Sequence, residues 1–537
     1  MRTAHTVAAV RAAEQALMAE LPAGALMQRA AAGLAAVCAS LLDHVYGARV
    51  VVLAGSGDNG GDALYAAARL AGRGAAVTAI AAGSRLHEAG AAELRARGGR
   101  IIPATDGSAG SGAAAGSGAA AGAGRAAGSG RAAGSGGAAG NQPLSESARR
   151  AIAAADLIID GLTGIGGQGG LREPAAALAV VTQDARADGA VVVAVDLPSG
   201  IDADTGEVRG SAIQADVTVT FGTIKPGLLI DPGASHAGTT ELVDIGLDPY
   251  LAEPAVLSLQ ADDVTALLPR PDAESDKYRR GVLGLVAGSD EYTGAAVLSC
   301  GGAIHGGAGM VRFVSADVAV SVVRQHWPEA VLTTYDPARP GDAVTTAGRV
   351  QAWTAGPGIG TGPEAVAILT AVLASDVPVL VDADGLTALA ANKDLLKRAA
   401  PVLITPHAGE LARLLSADRA DIEARRLHYV RAAAAQLGIT VLLKGSTTVI
   451  AGPDASQPVL VNSTGTCWLA TAGSGDVLSG LAGSLLAQGL DPAHAAAAGA
   501  YLHGMAGRLA ARGAPIGAGD LLAAIPAAIR VVTDGDS

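Results

Sequence analysis

Apolar runs rich in Val, Ile and Leu recur along the chain at residues 50–54, 76–81, 156–161 and 191–195, with helix-like stretches between most of them. A strand that is apolar at nearly every position has both faces buried, which is the condition of a parallel sheet covered by helices. After Asp216 two more strand-like runs follow, VTVTFG and TTELVDIG, and then LDPYLAEPAV, whose two prolines fit a connection. A second series starts near Arg279 with VLGLVAG, MVRFVS, QAWTAG, VPVLVDAD, PVLITP, TVLLKG and TTVIAG, again with helices between. Long Ala-rich helical stretches run from Ser474 onward. The pattern predicts two α/β domains of comparable size, 1–251 and 252–537, joined in the region 252–259. The opening segment MRTAHTVAAVRAAEQALMAEL reads as a single amphipathic helix, because charges recur throughout it and no apolar core precedes a cleavage site.

Residues 104–141 break the pattern. They degenerate into Gly, Ala and Ser with a GRAAGSG repeat, and offer almost no large side chain to bury. Such a stretch does not repay the entropy of ordering, and is expected to be a flexible insertion in a surface connection.

Composition narrows the class of protein. Half of the 537 residues are hydrophobic but only 2% are aromatic, so the cores are built from Ala, Val, Leu and Ile. A net charge of −12 repels nucleic acid and anionic membrane surfaces. No apolar stretch is long enough to span a bilayer, and Cys38, Cys300 and Cys467 form no CxxC pair, so a reducing, cytoplasmic setting is expected. Of 38 basic residues only five are Lys: Lys225, Lys277, Lys393, Lys397 and Lys444. Against that bias a retained Lys points mildly to a site that needs a compact ammonium.

Strand-like 50–54 runs into GSGDNGGD and then a helix. Gly55, Gly57 and Gly60 satisfy G-x-G-x-x-G, a weak signal alone, and the acidic residue that a hydride-transfer domain places about 20 positions on is missing. What remains is a helix start with bare backbone amides facing a phosphate-bearing ligand. IIDGLTGIGG puts Asp160 at another strand end, and VVVAVDLPSGIDADTG puts Asp196 and Ser199 at a third. In a parallel sheet these ends meet along one crevice. Asn59, Asp160 and Ser199 offer hard oxygens suited to a group IA or IIA cation, and Asp196 is the acid–base candidate.

GSGDNGGD, DGLTGIGG, AVDLPSGIDADTG and TVTFGTIKPGLL together resemble the NAD(P)H-hydrate epimerase domain, over nearly the whole first half apart from the insertion. The resemblance implies a Rossmann-like three-layer domain and a potassium site made by Asn59, Asp160 and Ser199. It also implies ligand contacts from Asp58, Asn59, Gly60, Gly61 and Asp62, from Gly164, Ile165, Gly166, Gly167, Gln168, Gly169 and Gly170, and from Asp196. The chain departs from the family at Asp58, where Asn is usual, and at Ala63, where Gly is usual. The first change adds a negative charge near the expected phosphates.

In the second half, NSTGTCWLATAGSGDVLSGLAGSLLAQG opens a helix with glycines and an acid in its first turn. Amides there can stabilise a transferring phosphoryl group while Asp476 accepts the proton of an attacking hydroxyl. The absence of GxxxxGK[ST] excludes a P-loop. This run resembles the ribokinase-like superfamily. With GSDEYTGAAVLSCGGAIHGGAGMV, AGPGIG, VDADGL, LITPHAGELARLL and VLLKGSTTVI in that order, the match resembles the NAD(P)H-hydrate dehydratase domain over most of residues 277–532. The implied fold is a ribokinase-like α/β domain following the Rossmann-like one. By the resemblance, Ala295, Gly358 and His407 contact the hydrate, Lys444, Gly445, Ser446, Thr447 and Thr448 with Gly475 hold the adenine nucleotide, and Asp476 is the base. The implied chemistry is repair: R and S hydrates of NADH and NADPH are interconverted, and the S form is dehydrated at the expense of ADP, giving AMP and phosphate, with Mg2+ at the nucleotide. The expected partners are thus small molecules, the hydrates and ADP, and self-association into a homo-oligomer stays open. Two rivals share some of these features. One is a hydroxymethylpyrimidine- or sugar-type kinase, distinguished by phosphate remaining on the organic product. The other makes the first half a silent Rossmann-like binding module, which has no reason to hold Asp160 and Asp196 at strand ends.

Overall fold

The computed structural model describes residues 1–83, 85–106, 143–167 and 169–534. From residue 107 to 141 the expected insertion lies outside the described residues. The described chain forms two mixed α/β units. In the first sheet the strands lie in the order Arg100–Pro103, Ala76–Ala81, Arg49–Ala54, Leu157–Gly161, Val191–Val195, Val217–Phe221 and Thr239–Val243. Every pairing in it is parallel. The strand order reverses between Arg49–Ala54 and Leu157–Gly161, so the crevice outside their carboxyl ends is the natural ligand position of an open parallel sheet. Val50, Val52 and Leu53 are fully buried, as a doubly covered strand requires.

The second sheet has eleven strands. Its parallel centre runs Val331–Thr334, Met310–Ser315, Val282–Val286, Ala352–Ala355, Val379–Val381, Val402–Ile404 and Thr440–Leu443. Thr448–Ala451 and Val459–Asn462 extend it antiparallel, and Val256–Ser258 follows. Its order reverses between Val282–Val286 and Ala352–Ala355. The 252–259 connection therefore contains a strand.

The last strand of that sheet is Arg2–Ala4, antiparallel to Val256–Ser258 with Arg2 opposite Ser258. The single opening helix expected from the sequence is thus replaced by a strand followed by a helix, Val7–Met18. Thr6 is the reason for the break: its backbone is extended and its side chain accepts from the Ala9 amide, which starts the helix only after it. The N-terminal strand of the first half consequently completes the sheet of the second. The two units also share one apolar cluster, in which Ile224, Leu228 and Ile230 pack with Val441, Val449 and Val461. Among the described residues no helix is long and apolar enough to cross a membrane.

Few aromatics mean that helices must approach closely to fill space. Thr293–His305 and Ser474–Ala487 do so: a Cβ on Gly480 would stand 2.0 Å from the Ser299 carbonyl oxygen. Because that obstacle is backbone, Gly480→Ala has to push the helices apart. We expect a loss of about 2–3 kcal/mol, read as a lower denaturation midpoint at unchanged slope. An unaltered midpoint would show that the contact yields.

Candidate active sites

The first site lies at the reversal point of the first sheet. Helix Asp58–Ala71 starts directly after strand Arg49–Ala54, and among the described residues no side chain caps its Gly57 end. The turn is tight: a Cβ on Gly60 would lie 2.3 Å from the Gly55 carbonyl oxygen, so only glycine fits. Asp58 is exposed, Asn59 is buried, and the Asn59 side-chain amide donates to the Thr163 carbonyl at 3.0 Å.

Asp160 is fully buried. Its Oδ1 accepts from the Ser199 hydroxyl at 2.7 Å and the Leu162 amide at 3.2 Å, and its Oδ2 accepts from the Ser199 amide at 2.8 Å. Burial pushes this carboxyl up to about 6, with the hydrogen bonds from Ser199 and Leu162 only partly opposing it. Gly164 faces the Asn59 side chain, its ideal Cβ being 3.0 Å from Oδ1. Asn59, Asp160, Ser199 and Gly164 therefore come together. The rest of the glycine loop is more dispersed. Gly167 closes a turn onto the Gly164 carbonyl, Gly166 faces Arg11, and Ile165 packs into the apolar clusters. Gly169 has a positive φ, and Gly170 lies against the backbone of Arg209. Gln168 lies outside the described residues.

Asp196 sits just past strand Val191–Val195 with φ +65°, a conformation that costs a non-glycine residue energy and is common at functional sites. Its Oδ1 accepts from the Lys225 ammonium, from the Thr220 hydroxyl at 3.1 Å and from the Phe221 amide at 3.3 Å. Lys225 is 1% exposed and also donates to Thr220 Oγ1 and the Phe221 carbonyl, both at 3.0 Å. No motif marks Lys225 in the sequence; the scarcity of lysines is the signal that points to it. Asp62 is half-buried, with an oxygen that is shielded and unpartnered among the described residues. Burial first, then the charges of Asp196, Asp58 and Glu14, hold it well above the usual carboxylate range. Glu14, on helix Val7–Met18, is raised by burial and by Asp196. Gly61 packs against the His87 ring and Met27.

The second site lies past the carboxyl ends of the second sheet. Gly473, with φ +86°, leads into helix Ser474–Ala487 and places Asp476 in its first turn. Asp382 follows strand Val379–Val381, is 1% exposed, accepts from Lys444 Nζ at 2.8 Å, and takes the Ser479 hydroxyl on its other oxygen. Glu410 Oε2 is 3.9 Å from the same ammonium. Gly475 lies beside it, with its ideal Cβ 3.4 Å from Lys444 Nζ. Burial, then Asp382, Asp384 and Glu410 against the opposing Lys444, push Asp476 up to about 7. For Lys444 burial works against the charge, but Asp382 and Glu410 outweigh it and keep the ammonium above its ordinary range. His503 is lowered to about 4 by burial, so it is neutral and donates through Nε2 to the Ser474 carbonyl at 2.8 Å, bracing the Asp476 turn. Asp382, Glu410 and His503 were not singled out from the sequence, although VDADGL places an acid at a strand end just as IIDG does for Asp160.

Ala295 and Gly358 meet, the ideal Gly358 Cβ being 2.8 Å from Ala295 Cβ. His407 is exposed and caps helix Ala408–Leu415, its Nδ1 accepting from the Gly409 and Glu410 amides. Thr448 begins strand Thr448–Ala451 and pairs with Asn462. His407, Lys444, Gly445 and Ser446 line a cavity of about 630 Å³ together with Asp231, Pro232 and Ser235 from the first half.

The family model described as NAD(P)H-hydrate dehydratase matches residues 283–527, and the one described as YjeF-related protein N-terminus matches residues 23–227. The chain is similar to the bifunctional NAD(P)H-hydrate repair enzyme Nnr of Mycobacterium leprae, with 45% identity over 92% of this chain and 91% of that one. It is 44% identical to the enzyme of the same name from Mycobacterium tuberculosis H37Rv, over 93% of this chain and 92% of the relative. A crystal structure of ADP/ATP-dependent NAD(P)H-hydrate dehydratase from Bacillus subtilis, co-crystallized with ATP/Mg2+, is 30% identical. It covers 51% of this chain and 97% of its own at a TM-score of 0.46. With both halves matched in order and nine-tenths of its relatives' length covered, the chain belongs to the bifunctional NAD(P)H-hydrate repair enzyme family.

Proposed function

We propose that the two crevices divide the repair of hydrated NADH and NADPH, the first interconverting R and S hydrates and the second dehydrating the S form with ADP. The observation that carries the reading is Asp476, a carboxylate poised near neutrality at a helix start beside Lys444 and Gly475. Hydroxide is a poor leaving group, so the hydrate's C6 hydroxyl is first phosphorylated. Asp476 takes the hydroxyl proton as its oxygen attacks the terminal phosphorus of ADP, and AMP departs. Helix-start amides at Gly475 and the Lys444 ammonium face the charge that develops on the transferring group. The C6–O bond then breaks with its electron pair leaving on phosphate, a proton leaves the neighbouring carbon, and the ring double bond returns. Asp382, Asp384, Glu410 and Asp476 outnumber the one lysine among them, so the site carries net negative charge; among the described residues they do not close into a ready metal site, and a divalent cation would enter with the nucleotide's phosphates. Mg2+, when bound with the nucleotide, supplies neutralisation of the phosphate charge.

In the first crevice the Asp196–Lys225 pair supplies a proton acceptor and a donor within one hydrogen bond, as inversion at C6 by ring opening and reclosure requires. Asp160 is a buried carboxyl whose partners are Ser199 and Leu162, with the Asn59, Thr163 and Ser199 oxygens around it, a hard donor set that fits K+. A bound K+ supplies positive charge to balance the acidic residues that face the substrate's diphosphate.

Incubating the full chain with mixed hydrates tests the reading. The S form should vanish only with ADP, with phosphate and AMP appearing in equal amounts, and the R form should follow. Phosphate retained on the organic product would favour a kinase. For the cation, K+ in place of a bulky organic cation should raise the melting temperature by a few degrees, as linkage to a folded-state site demands. Asp160→Asn should remove most of that increment; an equal increment in both chains would place the K+ effect elsewhere.

A further inference from the structure

The turn that is expected to hold the nucleotide is gripped from two sides. From within the second half, Arg426 on helix Arg426–Leu437 is 5% exposed, and its Nη2 donates to the carbonyls of Leu443, Lys444 and Thr447 at 3.3, 3.0 and 2.9 Å. The other grip comes from the first half. Asp231 is 7% exposed; its Oδ2 accepts from the Ser446 hydroxyl, and its backbone amide donates to Thr447 Oγ1 at 3.1 Å. Its second carboxylate oxygen is held by Ser235, which donates through its amide at 2.9 Å and through its hydroxyl. Both carboxylate oxygens are therefore committed, and Asp231 is fixed at the wall of the 630 Å³ cavity rather than free to swing into it.

Resting on the nucleotide role proposed for the turn, we infer that Asp231 is a positioning residue for ADP: the epimerase half sets the geometry of the dehydratase half's nucleotide site. Two further observations support this. Arg426 is a buried guanidinium whose Nη2 donates to three carbonyl oxygens, and the negative charges that act on it are those of Asp231 and then Glu423. Burial works against this cation, and the Asp231 carboxylate, reaching across the boundary between halves, is the largest charge that opposes that penalty, without forming a direct ion pair. A carboxylate beside an anion-binding cavity is otherwise unfavourable, so its place there calls for a compensating role. Holding Ser446 and Thr447 in place is such a role. The acidic charge does not coordinate the ligand; it acts through the turn.

The test uses the full chain. Asp231→Ala should raise the KM for ADP about tenfold, as expected for loss of a charge-assisted bond and its neighbour, with kcat changed far less. Asp231→Asn, whose amide oxygen still accepts from Ser446, should fall between. Ser446→Ala should raise the KM as well, and the double variant Asp231→Ala/Ser446→Ala should do little more than the larger single, because both remove one contact. Interconversion of the R and S hydrates without ADP, measured alongside, reports that the first half is folded in each variant. An unchanged KM for ADP in Asp231→Ala, or fully additive effects in the pair, would overturn the inference. A fall in kcat and melting temperature at constant KM would overturn it too, since that marks a packing role. A native chain that neither binds nor consumes ADP would fail the functional reading itself, and this inference with it.

Discussion

Asp476→Asn should bind ADP as the native chain does and dehydrate the S hydrate roughly a hundred- to ten-thousandfold more slowly. The substitution keeps size and polarity and removes only the ability to accept the hydroxyl proton. The first turn of helix Ser474–Ala487 and the bond from His503 to the Ser474 carbonyl are left in place. The native enzyme's own pH profile gives a second reading of the same residue. Asp476 must be unprotonated to act as a base, and its carboxyl is pushed up to about 7. Dehydration should therefore fall tenfold per pH unit below that value and level off above it, whereas a carboxylate with an ordinary pKa would give a flat profile down to about pH 4. Near-normal turnover by Asp476→Asn would remove it from the base role, and ADP binding lost together with turnover would point to a damaged site.

Asp196→Asn should abolish catalysed clearance of the R hydrate, leaving only its spontaneous epimerisation, while S-hydrate dehydration proceeds. Asn tolerates the left-handed backbone that Asp196 occupies, so the loop keeps its shape and the loss reads as chemistry. Lys225→Met is the harsher partner variant. It strands the buried Asp196 carboxylate without its cation, and about 3–5 kcal/mol of stability should go with the activity. The two point variants also complement each other. An equal mixture of Asp196→Asn and Asp476→Asn chains should clear both hydrates, because each supplies the crevice that the other lacks. If the native chain removes the R form no faster than spontaneous epimerisation allows, the first half is not an epimerase, and if Asp196→Asn matches an active native chain, Asp196 is not its acid–base group.

Much of this was legible in the sequence, for definite reasons. Strands buried on both faces write themselves as unbroken apolar runs, and Ala76–Ala81 and Val191–Val195 fall at the positions that the runs mark. Of the strands that escaped notice, Arg2–Ala4, Arg100–Pro103 and Val331–Thr334 lie at sheet edges with exposed positions, so no unbroken apolar run marks them, and Val256–Ser258 and Val459–Asn462 are short strands in the antiparallel flank of the second sheet. Thr6 hid the first of them, since a capping threonine reads as just another polar position on a helix face. That Asn59, Asp160 and Ser199 come together was legible because each stands at a strand end or helix start beside glycines. Lys225 was harder, because its partner is 29 residues away and only folding shows that its ammonium is buried. Asp231 was beyond reach for the same reason, its contacts with Ser446 and Thr447 spanning more than 200 residues.

Arg2 and its partner Ser258 are separated by the entire first half of the chain. At synthesis rates of about 5–20 residues per second, the leading strand waits roughly ten to fifty seconds before its neighbour emerges from the ribosome. That neighbour, Val256–Ser258, rests in turn on Val459–Asn462, which is made some 200 residues later still. During this interval the first unit can close its own seven-stranded sheet, with Ala4 bridged to Ile224, but Arg2 and Thr3 await their partners as a short edge open to pairing with another nascent chain. The exposed Arg2 puts a charge on that edge, a deterrent to such pairing. Assembly of the second unit is thus a slow, long-range closure that pairs Arg2–Ala4 with a strand made about 250 residues after it.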